Sequence, residues 1–207
     1  MSTLKLHRHA YSGHAHRAEL FLSLLGLNAE LIDVDLANAA HKQPEFLKLN
    51  LFGQIPVLED GDTVIADANA ILVYLATRYD ESGTWYPREP ETEAAIQRFL
   101  SVAAGQVASG PCAARLFNVF DVPLDKEAAI ATSHAVLTVL NQHLEGRDWL
   151  AAGHATIADI ANYTYIAHAP EGDVALDAYP EVRRWLAAVE QLPRFVAMPK
   201  TAAGLRA

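Results

Sequence analysis

The run from Thr3 to Val34 constrains the fold more than any other part of the chain. Thr3-Leu4-Lys5-Leu6-His7 alternates polar and apolar side chains, the period of a half-buried strand. Ala18, Phe21, Leu22 and Leu25 then recur at helical spacing, with Leu20, Leu24 and Leu27 on the flanks. That pattern predicts a helix buried on most sides and ended by Gly26 and Asn28. Glu30-Leu31-Ile32-Asp33-Val34 reads as a second strand. Strand, helix and strand in that order form a crossover unit, which requires parallel pairing with the helix packed on the sheet.

The following residues extend the sheet. Pro44 to Leu49 predicts a short helix, and Asn50-Leu51-Phe52-Gly53 a turn. Ile55 to Glu59 and Thr63 to Ala66 flank Asp60-Gly61-Asp62, a strong hairpin signal. Asp67 is placed to cap a helix with Ile71, Tyr74, Leu75 and Arg78 on one face. The predicted domains are an α/β sheet domain over residues 1–80, a linker over 81–90 with Gly83, Pro87 and Pro90, and an all-helical domain over 91–207. In the last, Ile96, Phe99, Leu100, Ala103 and Val107 set one helix, which Gly110-Pro111 should kink or end. Ile130, Val136, Leu137, Leu140 and Leu144 set another, closed near Gly146. Thr156-Ile157-Ala158-Asp159 has the pattern of a capping box, and Pro180 opens a helix carrying Val182, Trp185, Leu186 and Val189.

Composition removes several function classes. The chain has 207 residues, 51% hydrophobic and 20% charged, with a formal charge of −9. Such an acidic surface disfavours a phosphate backbone, so no nucleic-acid partner is expected. Cys112 is the single cysteine, which allows neither an intrachain disulfide nor a cysteine-rich zinc cage and fits a reducing compartment. The N-terminal residues lack an uninterrupted apolar run, and the stretch from Ala128 to Leu140 is broken by Thr132, Ser133 and His134. A soluble cytoplasmic protein without a membrane partner is expected.

Four short segments carry possible chemistry. Ser12-Gly13-His14 lies between the first strand and the first helix, where a hydroxyl and the helix dipole can stabilise a thiolate; Ser12 equally serves as a plain cap. In Gln54-Ile55-Pro56, a cis bond at Pro56 would expose the Ile55 backbone to an extended peptide ligand, whereas an ordinary edge proline would not. Asp67-Ala68 offers a carboxylate and free N–H groups for an amino-acid head group, or simply a helix cap. His41-Lys42 adds positive charge, as ligand contacts or as a solvated pair. His7, His9, His14 and His16 have no acidic or cysteine partner at ligand spacing, so no metal is expected. There is no glycine-rich phosphate loop and no Cys-x-x-Cys pair, and Cys112 reads as a small buried apolar residue. Tyr11, Phe117, Phe120, Tyr163 and Tyr165 line an apolar pocket or pack in the core.

Ser12 before the first helix, His41-Lys42, the segment Asn50 to Leu58 with its Gln54-Ile55-Pro56, Asp67-Ala68-Asn69-Ala70-Ile71 and the Thr156–Asp159 box together resemble a cytosolic glutathione transferase. The similarity covers essentially the whole chain and is closest to the serine-type, phi-like and bacterial branches. It implies a thioredoxin-like N-terminal domain, an all-α C-terminal domain forming the second-substrate site, a homodimer and a detoxification role. It also implies conjugation of the glutathione thiolate, as co-substrate, to a small hydrophobic electrophile. Ser12 would hydrogen-bond the sulfur, and His41 and Lys42 would meet the glycyl carboxylate. Ile55, before cis-Pro56, would pair with the cysteinyl portion, with Gln54 beside it. Asp67 would take the γ-glutamyl ammonium and the Ala68 N–H its carboxylate. The family usually has serine where Ala68 stands, so one hydrogen bond of about 1 kcal/mol is lost. Leu51 replaces the proline common before Phe52. Tyr11 and His14 remain alternatives to Ser12 as the activating group. A glutathione-dependent peroxidase, isomerase or dehalogenase, or a non-catalytic binding module, are the alternative functions on this scaffold.

Overall fold

The computed structural model describes residues 4–202. Thr3, expected in the first strand, lies outside the described residues. β1 (Leu4–Arg8) pairs in parallel with β2 (Ala29–Asp33) and antiparallel with β3 (Val57–Asp60), which pairs antiparallel with β4 (Thr63–Ala66). The sheet order is β2-β1-β3-β4. The crossover between the parallel strands is α1 (Gly13–Leu24), and α2 (Pro44–Leu49) leads into the hairpin. α3 (Ala68–Tyr79) follows it.

β3 begins two residues later than the spacing suggests. The Ile55–Pro56 bond is cis, and a proline has no N–H for the ladder, so pairing starts at Val57.

The remainder is helical: α4 (Pro90–Ala104), α5 (Ala113–Phe120), α6 (Lys126–His143), α7 (Ile157–Ala167) and α8 (Pro180–Glu190). Between α4 and α5 the backbone makes a wide π turn over Ala108–Cys112 with Pro111 inside it. Proline lacks the N–H that an α-helix needs there and its ring crowds the preceding turn, so the helix widens at that point and then continues.

Two helices hold the halves together. α1 buries Ala15, Ala18, Leu20, Phe21 and Leu22, and it packs against both α3 and α7. A helix that is apolar nearly all round must be covered on all sides, which places α1 between sheet and helices. α7 is buried from Ile157 to Ile166 and is held at its start by a complete capping box. The Asp159 carboxylate accepts hydrogen bonds from the backbone N–H groups of Leu150 (3.0 Å) and Thr156 (2.9 Å) and from the Trp185 indole (2.9 Å). One apolar core therefore runs from Leu4 in the sheet to Val189 in α8. A smaller cluster of Val34, Phe46 and Val57 seats α2.

Candidate functional site

The loop from β1 into α1 ends at Ser12, which caps the helix. Its Oγ accepts from the Ala15 N–H at 3.3 Å, and its own N–H donates to the His9 carbonyl at 2.9 Å. A hydroxyl that accepts in this way keeps its own proton to donate. Gly13 lies flat against the Tyr165 ring, where a Cβ would come within 2.7 Å of two ring carbons. The His14 N–H donates to the Tyr165 hydroxyl at 3.3 Å.

A cavity of about 870 Å³ opens between this turn and the sheet edge. Gln54, Ile55, Pro56, Asp67 and Ala68 form one part of its wall, and His14 and Leu116 form another. Ser12, His41 and Lys42 do not line it. Because of the cis bond, the Ile55 N–H and C=O stand outside the β3 ladder and have no partner among the described residues. Asp67 has φ +82°, a costly conformation for a residue with a side chain. It nonetheless caps α3, its Oδ1 accepting from the Ala70 N–H at 2.9 Å, and leaves Ala68 at the first helical position, where N–H groups lack helical acceptors.

The 50–54 turn is fastened by two residues. Asn50 is buried, donates from Nδ2 to the Gln54 carbonyl at 2.8 Å and accepts from the Phe52 N–H at 3.0 Å. In the sequence Asn50 reads only as part of a turn; its residue type is the available signal, since asparagine mimics backbone hydrogen bonding. Lys42 donates from Nζ to the carbonyls of Phe52 (3.0 Å) and Gly53 (2.7 Å). Gly53, at φ +56°, is required by this contact: a Cβ would lie 2.6 Å from the His41 carbonyl oxygen. Lys42 thus braces the turn through two of its three ammonium protons. We expect Lys42→Met to speed amide exchange across residues 50–54 by about five- to thirty-fold, from about 1–2 kcal/mol of lost hydrogen bonding. Unchanged exchange would free Lys42 from this structural duty. The His41 ring is half-buried, with its pKa lowered by burial and then by the Lys42 charge, and its Nδ1 has no partner.

Beneath the cavity floor lies a group that the sequence pattern did not disclose. Arg17 is 1% exposed and has no carboxylate at ion-pair distance among the described residues. Its Nη1 donates to His14 Nδ1 at 3.2 Å, its guanidinium lies 5.3 Å from the Tyr165 ring centroid, and its Nε and Nη2 are unpartnered. Burial lowers its pKa, opposed by the fields of Tyr165, Cys112 and Asp67. Burial, and then Arg17, pushes the His14 pKa down to about 3, so its ring is neutral. Because Nδ1 accepts from Arg17, the ring proton sits on Nε2, 4.0 Å from Cys112 Sγ. Burial pushes the Cys112 thiol up and holds the Tyr165 hydroxyl well above its ordinary value. A buried guanidinium therefore lies behind the neutral imidazole that His14 contributes to the cavity wall. The other three N-terminal histidines serve separate contacts: His7 with Glu59, His9 with the Tyr11 N–H, and His16 with Thr164 and the Val196 carbonyl.

Residues 2–77 match the family model described as glutathione S-transferase, N-terminal domain, and residues 120–193 match that of the C-terminal domain. The chain is 35% identical over 208 residues to glutathione S-transferase 3 of Zea mays, covering 94% of this chain and 92% of that relative. A crystal structure of a possible glutathione S-transferase from Rhodopseudomonas palustris superposes with a TM-score of 0.88 at 31% identity, over 97% of this chain and 100% of that one. A glutathione S-transferase from Pseudomonas fluorescens gives a TM-score of 0.89 at 30% identity, over 96% of this chain and 100% of the other.

Proposed function

The chain belongs to the glutathione S-transferase family and is a glutathione transferase, and from that premise we propose how its own residues divide the work. Residues 1–80 hold glutathione and residues 91–207 supply the wall for a small hydrophobic electrophile. The observation that carries this reading is the unpaired backbone of Ile55, exposed by the cis bond on the wall of a cavity that also carries His14 at the start of α1. An extended thiol peptide pairs there through its main chain, as an added strand does.

Glutathione enters with its γ-glutamyl ammonium on Asp67, its γ-glutamyl carboxylate on the Ala68 N–H and its cysteinyl backbone on Ile55, beside Gln54. The glycyl carboxylate meets His41 and the remaining ammonium proton of Lys42. The Ser12 hydroxyl donates to the sulfur, and the N-terminal end of α1 adds its positive field, so the thiolate is favoured over the thiol. The thiolate attacks the electrophilic carbon, the S–C bond forms, and the displaced electron pair departs with a leaving group or is protonated by water. Leu116 on the cavity wall and the partly exposed Phe117 make the second site apolar.

A second copy of the chain is the partner. Leu51 and Phe52 are 87% and 81% exposed on the turn beside the cavity, and a hollow between α3 and α4 lined by Val73, Tyr74 and Leu100 offers an apolar face. Large apolar side chains this exposed are suited to a protein interface. Among the described residues no helix is long and apolar enough to cross a membrane. A cytoplasmic setting agrees with the single cysteine.

Titration calorimetry with reduced glutathione tests the site. Asp67→Asn keeps the cap and removes the charge, so affinity should fall about ten-fold, the low end of a charge-assisted hydrogen bond. An unchanged Kd in this variant would remove Asp67 from the ammonium contact, and the absence of binding to the unaltered chain would overturn the whole assignment.

A further inference from the structure

Arg115 on α5 is fully buried, 0% exposed, and it is engaged on two sides. Its Nε donates to Glu171 Oε2 at 2.6 Å, and its Nη1 donates to the carbonyl oxygen of Tyr11 at 2.8 Å. Tyr11 immediately precedes Ser12, and the same peptide group donates its N–H, that of Ser12, to the His9 carbonyl at 2.9 Å. The peptide plane that leads into Ser12 is therefore hydrogen-bonded at both ends, by the loop itself and by a cation from the helical half. A plane held in this way cannot rotate without breaking one of the two bonds, and on the other side of Ser12 its own carbonyl accepts from the His16 N–H at 2.9 Å, so the two flanking peptides together set the direction of the Ser12 Cα–Cβ bond.

The far side of Arg115 is equally constrained. Glu171 Oε1 accepts from the Thr201 N–H at 3.0 Å and pairs with His168 Nδ1 at 2.9 Å; a carboxylate only accepts, so His168 carries its proton on Nδ1. The Glu171 carbonyl accepts from Asn118 Nδ2 at 2.9 Å. Gly172 lets the short turn Ala169–Gly172 press onto α5, where a Cβ would lie 2.7 Å from the Arg115 backbone nitrogen. Phe120 lies 5.9 Å from the guanidinium carbon and packs edge-on against His9 at 6.0 Å, enclosing the loop. A buried ion pair contributes little to net stability, because desolvation offsets attraction, but removing one partner leaves the other charge buried and uncompensated.

We propose that Arg115 is a positioning residue for the thiol-activating loop: aimed by Glu171, it holds the Tyr11–Ser12 peptide so that the Ser12 hydroxyl points at the glutathione sulfur. This rests on the role assigned to Ser12 above. Displacement of a catalytic group by about 1 Å costs on the order of a hundred-fold in rate, so the contact acts on turnover and leaves the glutathione-binding wall of Ile55 and Asp67 untouched.

The test is a pH titration of the thiolate ultraviolet absorbance of bound glutathione in the full-length protein, with Kd and kcat measured in parallel. Arg115→Lys keeps a charge but cannot reach both Glu171 and the Tyr11 carbonyl in the same fork geometry. It should raise the apparent thiol pKa by about one unit and lower kcat about ten- to a hundred-fold, with glutathione Kd within about three-fold of the unaltered value. Glu171→Gln retains Arg115 and removes only the charge that aims it; it should move the titration the same way and serves if Arg115→Lys does not fold. In a Ser12→Ala background, Arg115→Lys should add no further shift. An unmoved titration in either folded variant overturns the proposal, as does an equal shift with and without Ser12, which would make Arg115 a direct field on the sulfur. A Ser12→Ala protein that titrates like the unaltered one overturns the role of Ser12 itself, and with it any positioning through Ser12.

Discussion

Ser12→Ala is expected to lower kcat for glutathione conjugation by about ten- to a thousand-fold while glutathione Kd stays near its unaltered value. The range follows from deleting one preorganised donor to a developing or standing anion. Kd is spared because the proposed binding mode holds the peptide by groups Ser12 does not touch, the Ile55 backbone and the Asp67–Ala68 corner, which line the cavity. The substitution also removes the cap on α1, where Oγ accepts from the Ala15 N–H, so about 1 kcal/mol of stability should go with it. That cost does not mimic the catalytic effect, because a destabilised but folded population retains full turnover per folded molecule. Tyr11→Phe is the control. Tyr11 is 40% exposed, and loss of its hydroxyl should leave kcat within about two-fold if Ser12 is the donor. His14, the other neighbour, is already committed: Arg17 occupies its Nδ1 and Cys112 faces its Nε2. Unchanged turnover in Ser12→Ala together with a large loss in Tyr11→Phe would transfer the role to Tyr11.

The parts of this molecule readable in the sequence are those whose signals are local. The β1–α1–β2 crossover follows from two strand periods and one helical period, and the hairpin at Asp60-Gly61-Asp62 from turn chemistry. The Thr156–Asp159 box announced itself by residue type at fixed spacing and is present, whereas at Pro56 residue type left a cis bond and an ordinary edge proline both open, and the bond is cis, as the family resemblance implied. Distant pairing leaves no such mark. Arg115 and Glu171 are 56 positions apart, and nothing in the helical pattern of α5 distinguishes a buried arginine aimed at a carbonyl from one that extends to solvent. Arg17 is hidden for a related reason. Its neighbours Ala18 and Phe21 mark α1 as buried on most sides, but the default for an arginine in such a helix is to carry its charge outward. Lys42 shows a third limit: its acceptors are main-chain carbonyls, which every residue possesses, so their arrangement is a property of the 50–54 turn and not of the residue types in it.

Acidification from about pH 7 to about pH 5 is expected to remove about 4 kcal/mol of folding stability through His14 and His16 alone. His14 is pushed down to about 3 by burial and by Arg17. His16 is pushed down to about 4, chiefly by burial, against a raising contribution from its hydrogen bond to Val196. In the unfolded chain both titrate near their ordinary value of about 6.5. The unfolded state therefore binds two protons below that pH that the folded state refuses until near 4 and 3. Stability is fully present above about 6.5 and falls by about 1.4 kcal/mol per pH unit for each ring as the pH drops through this window. Urea unfolding at the two pH values measures the loss, and His16→Gln separates the contributions, since glutamine does not titrate and should remove about half of it. Equal pH dependence in both proteins would show that His16 is protonated in the folded state after all. The consequence reaches the site: His16 joins α1 to Thr164 of α7 and to the chain at Val196, while His14 stands between Arg17 and the cavity. Protonating His14 in place would set a second cation against the Arg17 guanidinium, and both groups sit in the first turns of the helix that Ser12 caps.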